Sequence, residues 1–87
     1  MITNREKHKV DIGRFAETMN QRLIAHEDKG HWDENTEADL RIWMSKAYNH
    51  LAVVSLLGVD EEVIEAAVDL ANYAMMIATN RQRKMQT

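Results

Sequence analysis

Apolar residues recur along this chain in three stretches with helical spacing, separated by two short polar breaks. In the first stretch Val10, Phe15, Met19, Leu23 and Ile24 return at helix-like steps, which predicts a helix over approximately residues 6–28. Gly30 then offers a left-handed stop, and His31-Trp32-Asp33-Glu34-Asn35 reads as a connecting loop with an aromatic anchor. Asn35 or Thr36 can cap a second helix, with Asp39 three residues after Thr36 in a capping-box-like arrangement. Leu40, Trp43, Met44, Ala47, Leu51 and Val54 supply its stripe over approximately 36–57, and Gly58 ends it. Asp60-Glu61-Glu62 opens a third helix, approximately 60–83, where carboxylates complement the exposed amides of a first turn.

The third stretch differs from the others because its apolar residues, from Val63 through Leu70 to Ala78, cover almost the whole helical circumference. A helix apolar all round is buried on several sides. Two partner helices from one short chain cannot cover it, so it is expected to pack against its copy in a homodimer or homotetramer. A loosely packed domain is the alternative. Within this apolar surface Glu62, Glu65, Asp69 and Asn72 share an arc of roughly 80°. Buried carboxylates are costly unless paired or bound to a cation, so the stripe lines a cavity, pairs with basic groups, or is an ordinary solvated edge.

Composition narrows the reading. The chain has 87 residues, no Pro, three Gly and abundant helix formers, so a single all-α domain spanning 1–87 is expected. A three-helix domain this small buries a modest fraction of its surface alone, which again favours a helical-bundle homo-oligomer. The absence of Cys removes disulfides, thiolate chemistry and Cys-type zinc sites, and fits a cytoplasmic location. No stretch is apolar enough to span a membrane. A net charge of −3 gives no general attraction to nucleic acid, and the basic residues lie mainly at the two ends.

Candidate chemistry is sparse. On the second helix Trp43, Ala47, His50 and Val54 share a face with Lys46 beside it, and this face carries no acid. A multi-carboxylate magnesium site needs oxygen ligands converging from more than one direction, whereas only the third helix offers them here. His26, Glu27 and His31 match none of the common zinc spacings. Lys29 beside Gly30 could meet a phosphate. Trp32, Trp43, Tyr48 and Tyr73 can stack on a base or serve as core anchors.

Two segments resemble a known family. Leu23 to Trp32 (LIAHEDKGHW) and Glu61 to Asn80 (EEVIEAAVDLANYAMMIATN) are similar to the basic-Gly-Trp loop and last catalytic helix of the MazG-like all-α nucleotide pyrophosphohydrolases, particularly short phage and prokaryotic members. The resemblance runs from Phe15 to Asn80 and implies a three-helix MazG-like domain. Members hold magnesium with a Glu-x-x-Glu pair on one helix and a Glu-x-x-Asp pair on the next, and release pyrophosphate from nucleoside triphosphates. Carried over on Leu51 and Asp69, the first pair falls on Ala47 and His50 and the second on Ala66 and Asp69. Three of four anionic ligands are gone, so hydrolysis is not expected.

Three function classes follow. The favoured one is a catalytically inactive MazG-like protein that binds a nucleotide or nucleotide-derived signal through Lys29, Trp32, Trp43, Lys46, His50, Glu65, Asp69, Asn72 and Tyr73, with no catalytic residue and no cofactor. In a phage it would act as an anti-defence sponge that sequesters a host immune signalling molecule. The second is an active pyrophosphohydrolase with Glu62, Glu65 and Asp69 as a reduced magnesium set. The third is a structural oligomerisation or partner-binding module.

Overall fold

A computed structural model describes residues 1–26 and 31–86. These form three helices, α1 (Asn4–Ala25), α2 (Glu37–Leu57) and α3 (Asp60–Met85), with a short 3-10 turn at Trp32–Glu34 and no strand among the described residues. The fold is all-α, as the spacing predicts. Gly30 and Lys29, expected as a helix stop and a phosphate contact, lie outside the described residues.

The α2–α3 hairpin follows from its punctuation. Thr36 rather than Asn35 caps α2, its hydroxyl accepting from the Asp39 amide at 3.1 Å. At the other end Gly58 adopts φ 77°, a left-handed conformation in which a side chain is strained, and its N–H donates to the Val54 carbonyl at 3.1 Å. Val59 brings no side-chain cap to α3, which leaves Asp60, Glu61 and Glu62 to complement the first-turn amides electrostatically.

Between the two helices lies a small core. Leu40 and Val68 are fully buried, and Val54 and Ala66 nearly so. The far end of the hairpin is tied by Arg81, whose Nε and Nη2 donate to the two Glu37 carboxylate oxygens. That hydrogen-bonded pairing holds the Glu37 carboxyl below its ordinary range, with smaller help from the charges of Arg81, Arg41 and Lys84. A depressed carboxyl contributes stability that is complete above its ordinary pKa and disappears as pH falls through the depressed value. Arg81→Ala is therefore expected to lower the melting temperature at pH 7 and to make little difference near pH 2. Melting both chains across that range tests it; an equal deficit at both ends would dismiss the ion pair as the cause.

Helix α1 begins where Thr3 caps it, the hydroxyl accepting from the Glu6 amide. It has no buried residue, and its hydrogen bonds to α3 come from its second half, where Met19 and Leu23 are half-buried. The expected face is corrected in its phase. At roughly 100° per residue, Ile12, Phe15, Met19 and Leu23 share one side, whereas Val10 and Ile24 point away from it. Val10 and Ile24 are accordingly 52% and 55% exposed.

Every residue from Met1 to Glu17 is exposed, Phe15 least among the large apolar ones at 38%, so the first half of α1 is an arm that buries little within the chain. The third helix is likewise less enclosed than its composition predicts: only Ala66, Val68 and Asn72 are buried, while Ile64, Ala74 and Ala78 face outward. A compact monomer of this mass exposes about 5,300 Å². This chain exposes 7004 Å².

Candidate functional site

Among the described residues, the side-chain hydrogen bonds between α1 and α3 gather along one wall of a cleft. Arg22 donates from Nε and Nη2 to the two carboxylate oxygens of Asp69, at 3.1 and 3.0 Å. The hydrogen bonds to Asp69 raise the Arg22 pKa above its ordinary value, against partial burial and with help from the charges of Asp69 and Glu65. One turn away, Asn72 Nδ2 donates to the Met19 carbonyl at 3.3 Å, which fixes the amide so that Oδ1 is a buried acceptor with no partner. Such an orphan costs stability unless a water or ligand donor reaches it.

The short 3-10 turn closes a second wall. Trp32 Nε1 donates to Thr79 Oγ1 at 3.0 Å, and Asn80 Nδ2 donates to the Trp32 carbonyl at 3.2 Å. His31 stacks on the Trp32 ring at 3.8 Å between centroids, and the Arg83 guanidinium lies 6.0 Å from it. Trp32 is thus an anchor whose ring is already in contact with protein groups. Trp43 is different: it meets Tyr73 at 6.2 Å with the rings tilted by 51°, and 37% of it is exposed.

These walls enclose a two-lobed cleft. The larger lobe, about 780 Å³, is lined by Arg22, Leu23, His26, His31, Trp32 and Asn35 on one side and by Trp43, Asp69, Asn72, Tyr73 and Met76 on the other. The smaller, about 250 Å³, adds Lys46, Ala47, His50 and Ala66 to the shared Trp43, Asp69 and Tyr73. The larger volume falls within the range of small-molecule sites.

The structure therefore gathers Trp32, Trp43, Lys46, His50, Asp69, Asn72 and Tyr73 around one cleft. Glu65 is exposed and lines neither lobe, while Tyr48 is 62% exposed and stands apart. The expected polar stripe is split: Glu62 and Glu65 face solvent, Asp69 is paired, and Asn72 is buried. Glu62, Glu65 and Asp69 do not form a metal-ligating group, and no cluster of three or more His, Cys, Asp or Glu is so placed among the described residues. Both oxygens of Asp69 already accept from Arg22.

Arg22 escaped sequence reasoning although a signal was present. It is the only Lys or Arg between Phe15 and His26, and it falls on the side of α1 that carries Met19. A carboxylate on an apolar helix needs such a partner.

In charge, Asp69 is the single acid among the described residues that line the two lobes, beside Arg22, Lys46 and the imidazoles of His26, His31 and His50. Neither Lys46 nor His50 is in an ion pair among the described residues. The cleft thus combines an aromatic surface, a paired guanidinium and an exposed ammonium. It suits a planar, anionic organic molecule. Comparison with protein-family models, curated proteins and solved structures returns no match.

Proposed function

We propose that the chain is a catalytically inactive MazG-like protein that binds a nucleotide or nucleotide-derived signal without turning it over. One observation carries this reading. Ala47, His50, Ala66 and Asp69, the positions onto which the family resemblance carries four magnesium-binding acids, all line the smaller lobe, yet only Asp69 is acidic. A site stripped of three carboxylates cannot hold magnesium in the family manner, and its loss of negative charge removes repulsion toward phosphate.

The rest of the cleft supports binding. Trp43 and Tyr73 line both lobes with aromatic surface on which a base can stack, and Lys46 and His50 line the smaller lobe with groups able to meet a phosphate. The protein acts in the cytoplasm as a homodimer or homotetramer. In a phage its role would be that of an anti-defence sponge, holding a host immune signal intact.

Melting the purified protein with a panel of nucleotides, cyclic oligonucleotides and ADP-ribose derivatives, with and without magnesium, tests the proposal. Stabilisation by one ligand in the absence of magnesium, with the ligand recovered unchanged, is expected. Magnesium-dependent release of pyrophosphate would replace the reading with an enzyme. No shift from any ligand would leave a purely structural module.

A further inference from the structure

Two half-covered helix faces lie at opposite ends of the α1–α3 contact. Helix α1 runs antiparallel to α3, with Met19 opposite Asn72 and Arg22 opposite Asp69. Because α1 ends at Ala25, the α3 face that it covers continues uncovered over Glu61, Ile64 and Glu65. Ile64 is 54% exposed. The α1 face continues in the other direction over Phe15 and Ile12 to Lys9, His8 and Arg5, all exposed and all within roughly 120° of arc. Ile12 is 68% exposed.

The two faces are complementary. One carries apolar residues flanked by cations, the other an apolar residue flanked by carboxylates. Among the described residues, none of Arg5, Lys9, Glu61 or Glu65 forms an ion pair within the chain. The first half of α1 buries little of its own surface, so a second surface that covers it would stabilise the helix.

We infer that the arm of α1, through Arg5, Lys9, Ile12 and Phe15, docks on the Glu61-Ile64-Glu65 face of a second copy. The second copy reciprocates, in a twofold exchange. This inference rests on the self-association proposed above and specifies its surfaces. A twofold arrangement uses each arm and each acidic face once, so neither is left over. The chain exposes about 1,700 Å² more than a compact monomer of its mass, ample for the roughly 800 Å² that each partner of a stable complex buries. Ile12, Phe15 and Ile64 would form the apolar centre and the charges its rim.

Charge reversal on each side supplies the test, because two damaged chains should repair each other. In sedimentation velocity the wild-type chain is expected as a dimer of about twice its 10.1 kDa mass. Arg5→Glu with Lys9→Glu places acid against acid in its own dimer, and Glu61→Lys with Glu65→Lys places base against base. Each should weaken self-association by about tenfold or more. Mixed together, the two variants form a dimer in which both contacts again join opposite charges, and affinity should return to within about threefold of wild type.

A dimer that ignores both reversals would overturn the arm exchange while leaving self-association intact. A wild-type chain that sediments as a monomer at millimolar concentration would overturn both. Circular dichroism checks that each variant keeps its helices; if a double reversal unfolds, the single changes Lys9→Glu and Glu61→Lys are read by the same criteria.

Discussion

Asp69→Asn is expected to tighten binding of a phosphorylated ligand, and Arg22→Ala to weaken it by about ten- to a hundredfold. The opposite signs arise from the bidentate pair on the cleft wall. Asp69 uses the Nε and Nη2 protons of Arg22 and cancels its charge, but leaves Nη1 available to a phosphate oxygen. Asparagine keeps one acceptor for positioning the guanidinium and removes the negative charge, so the local potential becomes more favourable to an anion. Alanine at position 22 removes the donor, and a hydrogen bond to a charged group contributes about 1.5–3 kcal/mol. It also leaves Asp69 as an unpaired carboxylate facing the ligand.

Fluorescence titration with the nucleotide that most stabilises the wild-type chain reads both effects, since Trp43 lies in the cleft. An enzyme would give a different result. If Asp69 held magnesium, Asp69→Asn would abolish both magnesium dependence and pyrophosphate release. Weaker binding in the Asp69→Asn chain would show that this carboxylate touches the ligand rather than holding Arg22.

Leu40→Ala should be the most damaging conservative change to the fold. Leu40 is completely buried at the start of α2, in a core whose other buried apolar residues, among those described, are Val54, Ala66 and Val68. Truncating a buried leucine costs about 2–5 kcal/mol through lost transfer energy and the cavity left behind. In a domain of this size each kcal/mol shifts the melting temperature by about 4–8 °C, so a fall of 10 °C or more is expected. Tyr48→Ala, on the exposed side of the same helix, should change stability by less than about 0.5 kcal/mol. Chemical denaturation of both chains checks the contrast. A loss below about 1 kcal/mol for Leu40→Ala would mean that the core is not organised around this residue.

What was legible in the sequence is what local rules determine. The α2–α3 hairpin could be read because Thr36 and Gly58 each satisfy a short-range requirement, a hydroxyl acceptor for the Asp39 amide and a residue tolerant of positive φ. Trp43, Ala47 and His50, with Lys46 beside them, could be placed together because they share a helix face. The phase of α1 was less accessible, since its apolar residues are spread round the helix and only packing against α3 selects Met19 and Leu23 over Val10 and Ile24. Arg22 was missed for a related reason. Its partner lies 47 residues away, and the angle at which α1 crosses α3 decides whether the two meet.

That same separation governs the order in which the molecule can assemble. The α2–α3 hairpin closes through a two-residue break, Gly58 and Val59, so its contacts form at little loop-closure cost. Helix α1 must instead find α3 across a long intervening chain, with Arg22, Asn72 and half a helix face as its reward. Contacts of high sequence separation are gained late. The cleft is built on the late contact, because Arg22, Leu23 and His26 form one of its walls. The cleft is therefore the last feature the folding chain completes, and lifting α1 away removes that wall.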